Sequence, residues 1–473
     1  MEHTALTSTV QRLWQDSVLP SLSGLVAVPA VSPAFDADWA TNGHLDAAVE
    51  HVRTWIASRE LPGAQLEVVR LPGRSPLLLV DIPASPGAEE AGTALLYGHL
   101  DKQPPMDGWS EGLGPWTPVV RDGRLYGRGS ADDGYSGYAA VTALEALRTH
   151  GGSHARCVLL LETGEESGSP DLPAYLEHLA DRLGRVTLVV CLDSGAGDYE
   201  RMWLTTSLRG LAQVEVTVRV LRMGQHSGSA SGVVPSSFRV LRMLLDRIED
   251  PRTGEIKLPE LHVEIPADRL AETRDTVAVT PGALKNAFPV VDGLQLVSDD
   301  DLELALNRTW RPTLSVIGAD GLPAPADAGN VLRSHTTLSL SFRLPPTCDS
   351  AAALEAVRKA LTTDVPYGAQ VELGRVEHAD GWNAPTLAPW LREALDTASD
   401  TVFGQPWRTI GEGGSIPFMG LLHTAYPEAQ FVVTGALGPG SNAHVPDESL
   451  NLPYAEKVTA GVALILDAHA RAA

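Results

Sequence analysis

The sequence predicts an α/β domain interrupted by a smaller α+β domain. Three features of the 473-residue chain carry that expectation. Its length exceeds what one ordinary core absorbs, so two domains are the starting point. Up to about residue 205, apolar strand-like runs alternate with helix-spaced runs, as in a layered domain with a largely parallel sheet. Over 207–382 the strands instead alternate apolar and polar residues, and the first pattern returns over 383–473. The second domain is thus inserted into the first, which divides the chain at 1–206, 207–382 and 383–473.

The elements follow in order. Segment 1–19 places Val10, Leu13, Trp14 and Val18 on one face of a helix. A helix over 43–59 leads to strands over 65–69, 77–82 and 93–97. Residues 122–127 read as a hairpin turn and a short strand. Ala139, Ala140, Ala143, Leu144 and Leu147 recur at helical spacing within 136–149. Strand 157–161, helix 172–183 and strand 186–192 complete the first part. In the inserted part, 211–220 and 338–344 alternate as half-exposed strands, and 370–375 is a further strand. Helices fit 235–248 and 351–361, on one side of an open sheet. The Pro- and Ala-rich stretch 322–328 reads as a surface loop. The last part holds a helix at 387–403, a strand at 430–434 and a helix at 454–470.

Composition excludes several classes of function. With 44% hydrophobic and 20% charged residues the chain is an ordinary soluble globular protein. Its 59 acidic and 36 basic residues give a formal net charge of −23, which opposes nucleic-acid phosphate or an anionic membrane as partner. Cys157, Cys191 and Cys348 are widely spaced, and each lies in or beside an apolar run. They read as buried free thiols, not as a disulfide framework or a cysteine zinc site. No run approaches the ~18 apolar residues of a membrane span. A cytoplasmic protein is the expectation.

Five short stretches carry chemistry. They are Gly98-His99-Leu100-Asp101, Ser130-Ala131-Asp132-Asp133-Gly134, Thr163-Gly164-Glu165-Glu166-Ser167, Cys191-Leu192-Asp193-Ser194 and Asn442-Ala443-His444-Val445-Pro446. Divalent ions want carboxylate oxygen and imidazole nitrogen, and these stretches supply both. In parallel sheets functional residues collect at the carboxyl ends of strands, where four of the five sit. The spacing of His99 and Asp101 lets the carboxylate hold the second ring nitrogen. A carboxylate of the Asp132-Asp133 pair could bridge two ions roughly 3.5–4 Å apart. Glu165 and Glu166 repel one another unless a cation compensates; one can ligate while the other works on a water. Each stretch alone has a bland reading as a turn, a helix start or a polar surface. Their joint occurrence at strand ends does not.

Tyr97-Gly-His-Leu-Asp-Lys-Gln-Pro104, Leu125-Tyr-Gly-Arg-Gly-Ser-Ala-Asp-Asp133, Glu162-Thr-Gly-Glu-Glu-Ser-Gly-Ser169 and Gly438-Pro-Gly-Ser-Asn-Ala-His444 resemble the carnosinase-like dipeptidases. These belong to the co-catalytic metallopeptidase family that also holds aminoacylases and succinyl-diaminopimelate desuccinylase. The resemblance spans nearly the whole chain. It implies an α/β, mixed-sheet metallopeptidase catalytic domain with an inserted α+β lid and dimerisation domain. It also implies two divalent ions per subunit, zinc foremost with manganese or cobalt as alternatives, and a homodimer. Carried over by position, His99 and Asp193 would hold one ion, Glu166 and His444 the other, and Asp132 would bridge. Glu165 would be the general base, and Asp101 would orient His99. Asp132-Asp133 resembles a family pair joined by a cis peptide.

In the inserted part, Met223-Gly-Gln-His-Ser-Gly228 resembles a family loop whose His reaches the neighbouring subunit's site, which makes His226 the candidate oxyanion group. Arg343 resembles the carboxylate-binding arginine, and Asn330 sits where a lid contact to substrate is expected. Glu412-Gly-Gly-Ser415 is similar to the loop that meets the substrate's amino end, with Glu412 and Ser415 as contacts. Gly224, Gly134-Tyr135-Ser136 and Gly411 depart from the family pattern and leave substrate identity open. The expected reaction is hydrolysis of the amide bond of a dipeptide or similar small peptide with a free carboxylate. An N-acyl amino acid or specialised-metabolite amide is the alternative substrate. A non-catalytic binding protein on the same fold is the alternative of another class.

Overall fold

The computed structural model describes residues 3–59, 61–414 and 417–472. The chain forms two compact units. The first comprises Met1–Thr206, Ala384–Ile410 and Leu421–Ala473; the second comprises Ser207–Asn383 and Gly411–Gly420.

Unit one is built on a six-stranded mixed sheet. Its order is Gln65–Val69, Leu77–Ile82, Arg156–Glu162, Thr93–His99, Val186–Cys191 and Gln430–Val433. The first two pairings are antiparallel and the other three parallel. Leu95, Leu96, Val158, Leu159, Leu160, Val189 and Val190 are all buried, as the central strands of a sheet covered on both faces require. Helix Leu452–Arg471 is apolar almost all round, with Val458, Val462, Ile465 and Leu466 buried, and packs on helix Ser136–Thr149. Its start is fixed by Pro453 in the first turn and by the Asn451 side chain, which accepts from the Tyr454 N–H at 3.0 Å. The opening helix buries Val10, Leu13, Trp14 and Val18 as expected, and Trp14 Nε1 donates to Thr459 Oγ1 at 3.0 Å. It runs past its expected end through a π-helical turn at Trp14–Val18 into helix Leu19–Val26. Pro20 is tolerated there because it lies in the first turn of the new segment.

Parallel strands end on a common edge. Strand Thr93–His99 delivers His99 and Asp101 there, Arg156–Glu162 leads to Glu165 and Glu166, and Val186–Cys191 leads to Asp193. A small three-stranded sheet brings in the rest. Val119–Arg121 and Arg124–Tyr126 form a hairpin over Asp122 (φ 50°) and Gly123 (φ 75°), the pair of left-handed residues a tight two-residue turn needs. Strand Ser449–Asn451 then pairs with Arg124–Tyr126, placing the chain after His444 beside the chain before Asp132.

Unit two holds an antiparallel sheet in the order Thr313–Asp320, His335–Leu344, Gly210–Arg219, Gln370–Ala379. Strand Gly210–Arg219 alternates perfectly between buried and half-buried positions. Val214, Val216, Val218, Leu338, Leu340 and Phe342 meet Val240, Leu241 and Leu244 of helix Ser237–Leu245, and Ala353, Val357 and Leu361 of helix Ser350–Thr362. Segment Gly411–Gly420, expected in the closing part of the catalytic domain, belongs to this unit. Arg209 holds it, its backbone N–H donating to the Gly414 carbonyl at 3.1 Å and its Nε to the Gly413 carbonyl at 3.0 Å. Helices Ala267–Val279 and Asp301–Thr309 and the edge strand Thr313–Asp320 were not foreseen. The first of these helices buries Arg269 in place of an apolar stripe, and the edge strand is mostly exposed, so neither writes a clear periodicity. Residues 322–328 are a loop with one short helical turn at Pro325–Asp327. All three cysteines are free and buried. No helix among the described residues is long and apolar enough to cross a membrane.

Leu340 is buried at the centre of the second unit's core. Leu340→Ala should therefore cost about 2–5 kcal/mol of unfolding free energy, read from urea titration. A loss under about 0.5 kcal/mol, the range of surface substitutions, would contradict this assignment of the core.

Candidate metal centre

His99 closes its strand and is wholly buried. The backbone before it allows no side chain: a Cβ on Gly98 would lie 2.0 Å from Ser136 Oγ. His99 Nδ1 hydrogen-bonds the Asp101 backbone carbonyl at 3.0 Å, while the Asp101 carboxylate lies 3.5 Å away. That carboxylate instead accepts from the backbone N–H groups of Glu165 (3.2 Å) and Glu166 (3.0 Å). Asp101 thus fixes the imidazole through its main chain and the Glu165-Glu166 turn through its side chain. His99 Nε2 points at three carboxylates: Asp132 Oδ1 at 3.4 Å, Asp193 Oδ2 at 3.7 Å and Glu165 Oε2 at 3.9 Å.

Asp132 uses its second oxygen on the other imidazole. Its Oδ2 lies 2.9 Å from His444 Nε2, which is also 3.2 Å from Glu166 Oε2. His444 is reached through a loop with left-handed backbone at Asn442 (φ 53°) and His444 (φ 66°), and its side chain is half exposed. Among the described residues, two sets of donors each gather their ligand atoms within 4.8 Å: His99 with Asp132 and Glu166, and His99 with Glu165 and Asp193. The Asp132–Asp133 peptide is cis.

The donors fit divalent cations. His99 Nε2, Glu166 Oε1 and Asp133 Oδ1 are buried without a hydrogen-bond partner, although buried polar atoms are nearly always satisfied. Burial pushes the carboxyls of Glu165, Glu166 and Asp133 up, and that of Asp193 up to about 7, with neighbouring carboxylates adding to each. Burial would also raise Asp132, but His444 and His99 hold it below the usual carboxylate range. For His444, burial opposes the charged form, yet hydrogen bonds to Asp132 and Glu166 overcome it and raise the imidazole to about 11. His99 is raised in the same way, against its burial, by Asp101 and Asp132. Without a metal the cluster recruits protons to balance its carboxylates.

Comparison with known proteins identifies the family. The profile of peptidase family M20/M25/M40 matches residues 95–468. The chain belongs to that family. It is a peptidase, and membership implies divalent metal ions at its centre. The M20 chain is 27% identical over 370 residues to the cysteinylglycine-S-conjugate dipeptidase of Corynebacterium striatum, covering 78% of this chain and 79% of that one. It is 26% identical over 391 residues to the Beta-Ala-His dipeptidase of Homo sapiens, covering 80% and 74%. Its fold matches the crystal structure of human carnosine dipeptidase 1 with a TM-score of 0.79, at 22% identity over 100% of this chain and 99% of that chain. Dug1p of Saccharomyces cerevisiae matches with a TM-score of 0.76, at 22% identity over 100% and 99%.

The remaining candidates lie in unit two. His226 is exposed, and its Nδ1 accepts from the Gly228 N–H at 3.1 Å, so in the neutral ring the proton sits on Nε2. Asn330 is its neighbour, its carbonyl accepting from the Ser227 N–H at 2.8 Å. Arg343 is half buried on strand His335–Leu344, and that burial lowers its guanidinium. Glu412 is paired with Arg308 at 2.8 Å. Ser415 lies outside the described residues. Sequence reasoning missed Gln103, whose Nε2 donates to Glu166 Oε2 at 2.7 Å, although it stands inside a quoted motif. Asp133, named within a motif but given no role of its own, has its Oδ2 accepting from the His99 N–H at 3.4 Å.

Ligating imidazoles must be deprotonated, so metal uptake should expel the protons that His444 and His99 hold in the metal-free centre. Titrating metal-free protein with Zn²⁺ or Mn²⁺ near pH 7, in buffers of different ionisation enthalpy, should show net proton release. Affinity should rise as pH rises. Uptake without proton release would contradict the charge balance described.

Proposed function

We propose that this chain hydrolyses the amide bond of dipeptides, or of similar small peptides with a free carboxylate, using two divalent ions per subunit. The observation that carries the reading is Asp132, which turns one oxygen to His99 and the other to His444. That is the posture of a bridging ligand. His99 and Asp193 would complete one site, and Glu166 and His444 the other. Zinc is the proposed metal, with manganese and cobalt compatible with the same donors. Bound there, a pair of ions supplies a water that is acidic near neutral pH and polarises the scissile carbonyl. The dipeptidase names of the similar proteins support a dipeptide substrate.

The protein's own groups divide the remaining work. Glu165, whose Oε2 lies 3.9 Å from His99 Nε2, would take a proton from the attacking water and return it to the leaving amine. Unit one is the catalytic domain in this reading, and unit two the lid and dimerisation domain. His226 of one subunit would donate its Nε2–H to the oxyanion in the other subunit of a homodimer. Arg343 would grip the substrate carboxylate with its two-pronged guanidinium. Asn330 and Ser415 would add substrate contacts, and Glu412 would meet the amino end. The free buried thiols and acidic surface support a cytoplasmic protein without nucleic-acid or membrane partners.

One observation favours a second substrate class. Arg308 already neutralises Glu412, which weakens the case for a free ammonium there and suits N-acyl amino acids or related amides. A panel of dipeptides and their N-acetylated forms, on zinc- or manganese-loaded protein, tests both. Faster turnover of free dipeptides supports the first reading; preference for the acylated forms supports the second; hydrolysis of neither contradicts the amide-hydrolase reading. On the better substrate, Glu165→Gln should lower turnover by at least roughly 10²–10⁴-fold while metal content stays unchanged. Near-normal turnover would remove Glu165 from the proton-transfer role.

A further inference from the structure

A further buried acid of unit one takes its hydrogen bonds from an arginine and from backbone, not from an imidazole. Glu448 is wholly buried, and its two oxygens have separate tasks. Oε2 accepts from Arg128 Nη1 at 2.7 Å. Oε1 accepts from three backbone N–H groups in succession along one loop: Gly129 at 3.0 Å, Ala131 at 3.3 Å and Asp132 at 3.3 Å. Arg128 is equally buried, with its guanidinium carbon 5.7 Å from the Trp109 ring centre.

The loop that Glu448 holds has little regular structure of its own. Gly127 (φ 138°) and Gly129 (φ 75°) bend it away from the hairpin. Without an acceptor, three of its buried N–H groups would lose their partner, at a cost comparable to a lost hydrogen bond each. A buried ion pair, by contrast, stabilises a fold little in net terms and serves better to fix one arrangement among several.

Glu448 also follows His444 by only four residues. Its own carbonyl accepts from the Gly127 N–H at 3.0 Å, continuing the pairing of Ser449 with Tyr126. The Ser449 N–H donates to the Ser441 carbonyl at 2.9 Å, and Arg124 donates to the carbonyls of Pro439 and Gly440. The loop bearing His444 is therefore closed at its base, and the closing residue reaches across to the loop bearing Asp132.

We propose that Glu448 is a positioning residue for the metal centre: it locks the Asp132 loop to the His444 loop so that the two ligands meet. Glu448 would touch neither ion nor substrate. The inference rests on the reading of His99, Asp132, Glu166, Asp193 and His444 as metal ligands.

Two double variants separate positioning from mere stability. Arg128→Met with Glu448→Gln removes both charges but keeps an oxygen for the three N–H groups. Arg128→Met with Glu448→Leu removes that acceptor as well. Zn²⁺ affinity is measured by chelator competition, and the thermal midpoint is measured on metal-free protein. The Gln pair should bind zinc within about threefold of wild type. The Leu pair should bind roughly 10–100-fold more weakly, the range for lost outer-sphere partners, in protein that stays folded but has a lower metal-free midpoint, because three N–H groups lose their acceptor. Equal zinc affinity in the two pairs would overturn the proposal. Should the Leu pair fail to fold, Glu448→Asp retracts the carboxylate by one methylene while keeping its charge. It should weaken zinc by about tenfold at a nearly unchanged midpoint, and wild-type affinity there would overturn the proposal. Wild-type protein that takes up no zinc or manganese would instead overturn the metal-site reading beneath it.

Discussion

Asp132, Asp133, Glu165, Glu166 and Asp193 converge around His99 at one edge of a sheet, and such crowding needs cations. Two like charges about 4 Å apart cost roughly 4 kcal/mol at an effective dielectric near 20. Several such pairs together exceed a good part of the whole stability of an ordinary domain, about 5–15 kcal/mol. Protonated imidazoles offset part of this repulsion, which is why His444 is held charged so far above its ordinary range. Divalent ions would offset it more fully, and in the proposed reading they would give the orphaned Nε2 of His99 and Oε1 of Glu166 a partner. The architecture around the cluster serves to hold mutually repelling groups at ligand distance.

That holding is done largely by backbone. The parallel strands bring His99, the Glu165-Glu166 turn and Asp193 to one edge because parallel neighbours end together. Asp101 ties two of these ends, with its carbonyl on the His99 ring and its carboxylate on the N–H groups of Glu165 and Glu166. The small three-stranded sheet aligns the Asp132 and His444 segments from distant parts of the chain. Loops with left-handed residues at Asn442, His444 and Gly129 supply the turns that regular elements cannot.

Much of this was legible in the sequence, for identifiable reasons. His99, the Glu165-Glu166 turn and Asp193 stand at or just after apolar strands, so the strand pattern and the polar residue that follows mark these candidate donors; Asp132 and His444 lie in loops, and for them the quoted motifs were the signal. The alternation in 211–220 announced the second sheet because one face is buried along its whole length. What escaped depends on contacts without local signature. Glu448 meets Arg128 across 320 positions, and nothing around either residue names the other. The pairing of Arg308 with Glu412, and the placement of Gly411–Gly420 with unit two, are likewise set by tertiary packing. Asp101 was expected to act on His99 through its carboxylate; spacing alone could not tell that its carbonyl would take that bond and free the carboxylate for two N–H groups.

The central claim is that one carboxylate serves two ions. Metal content after equilibrium dialysis, with folding checked by circular dichroism, tests it directly. Wild-type protein should hold about two zinc or manganese ions per chain, the stoichiometry of a bridged pair. Asp193→Ala should lose about one of them, whereas Asp132→Ala should lose both while remaining folded. A folded Asp132→Ala protein that keeps its full complement at wild-type affinity would contradict the account.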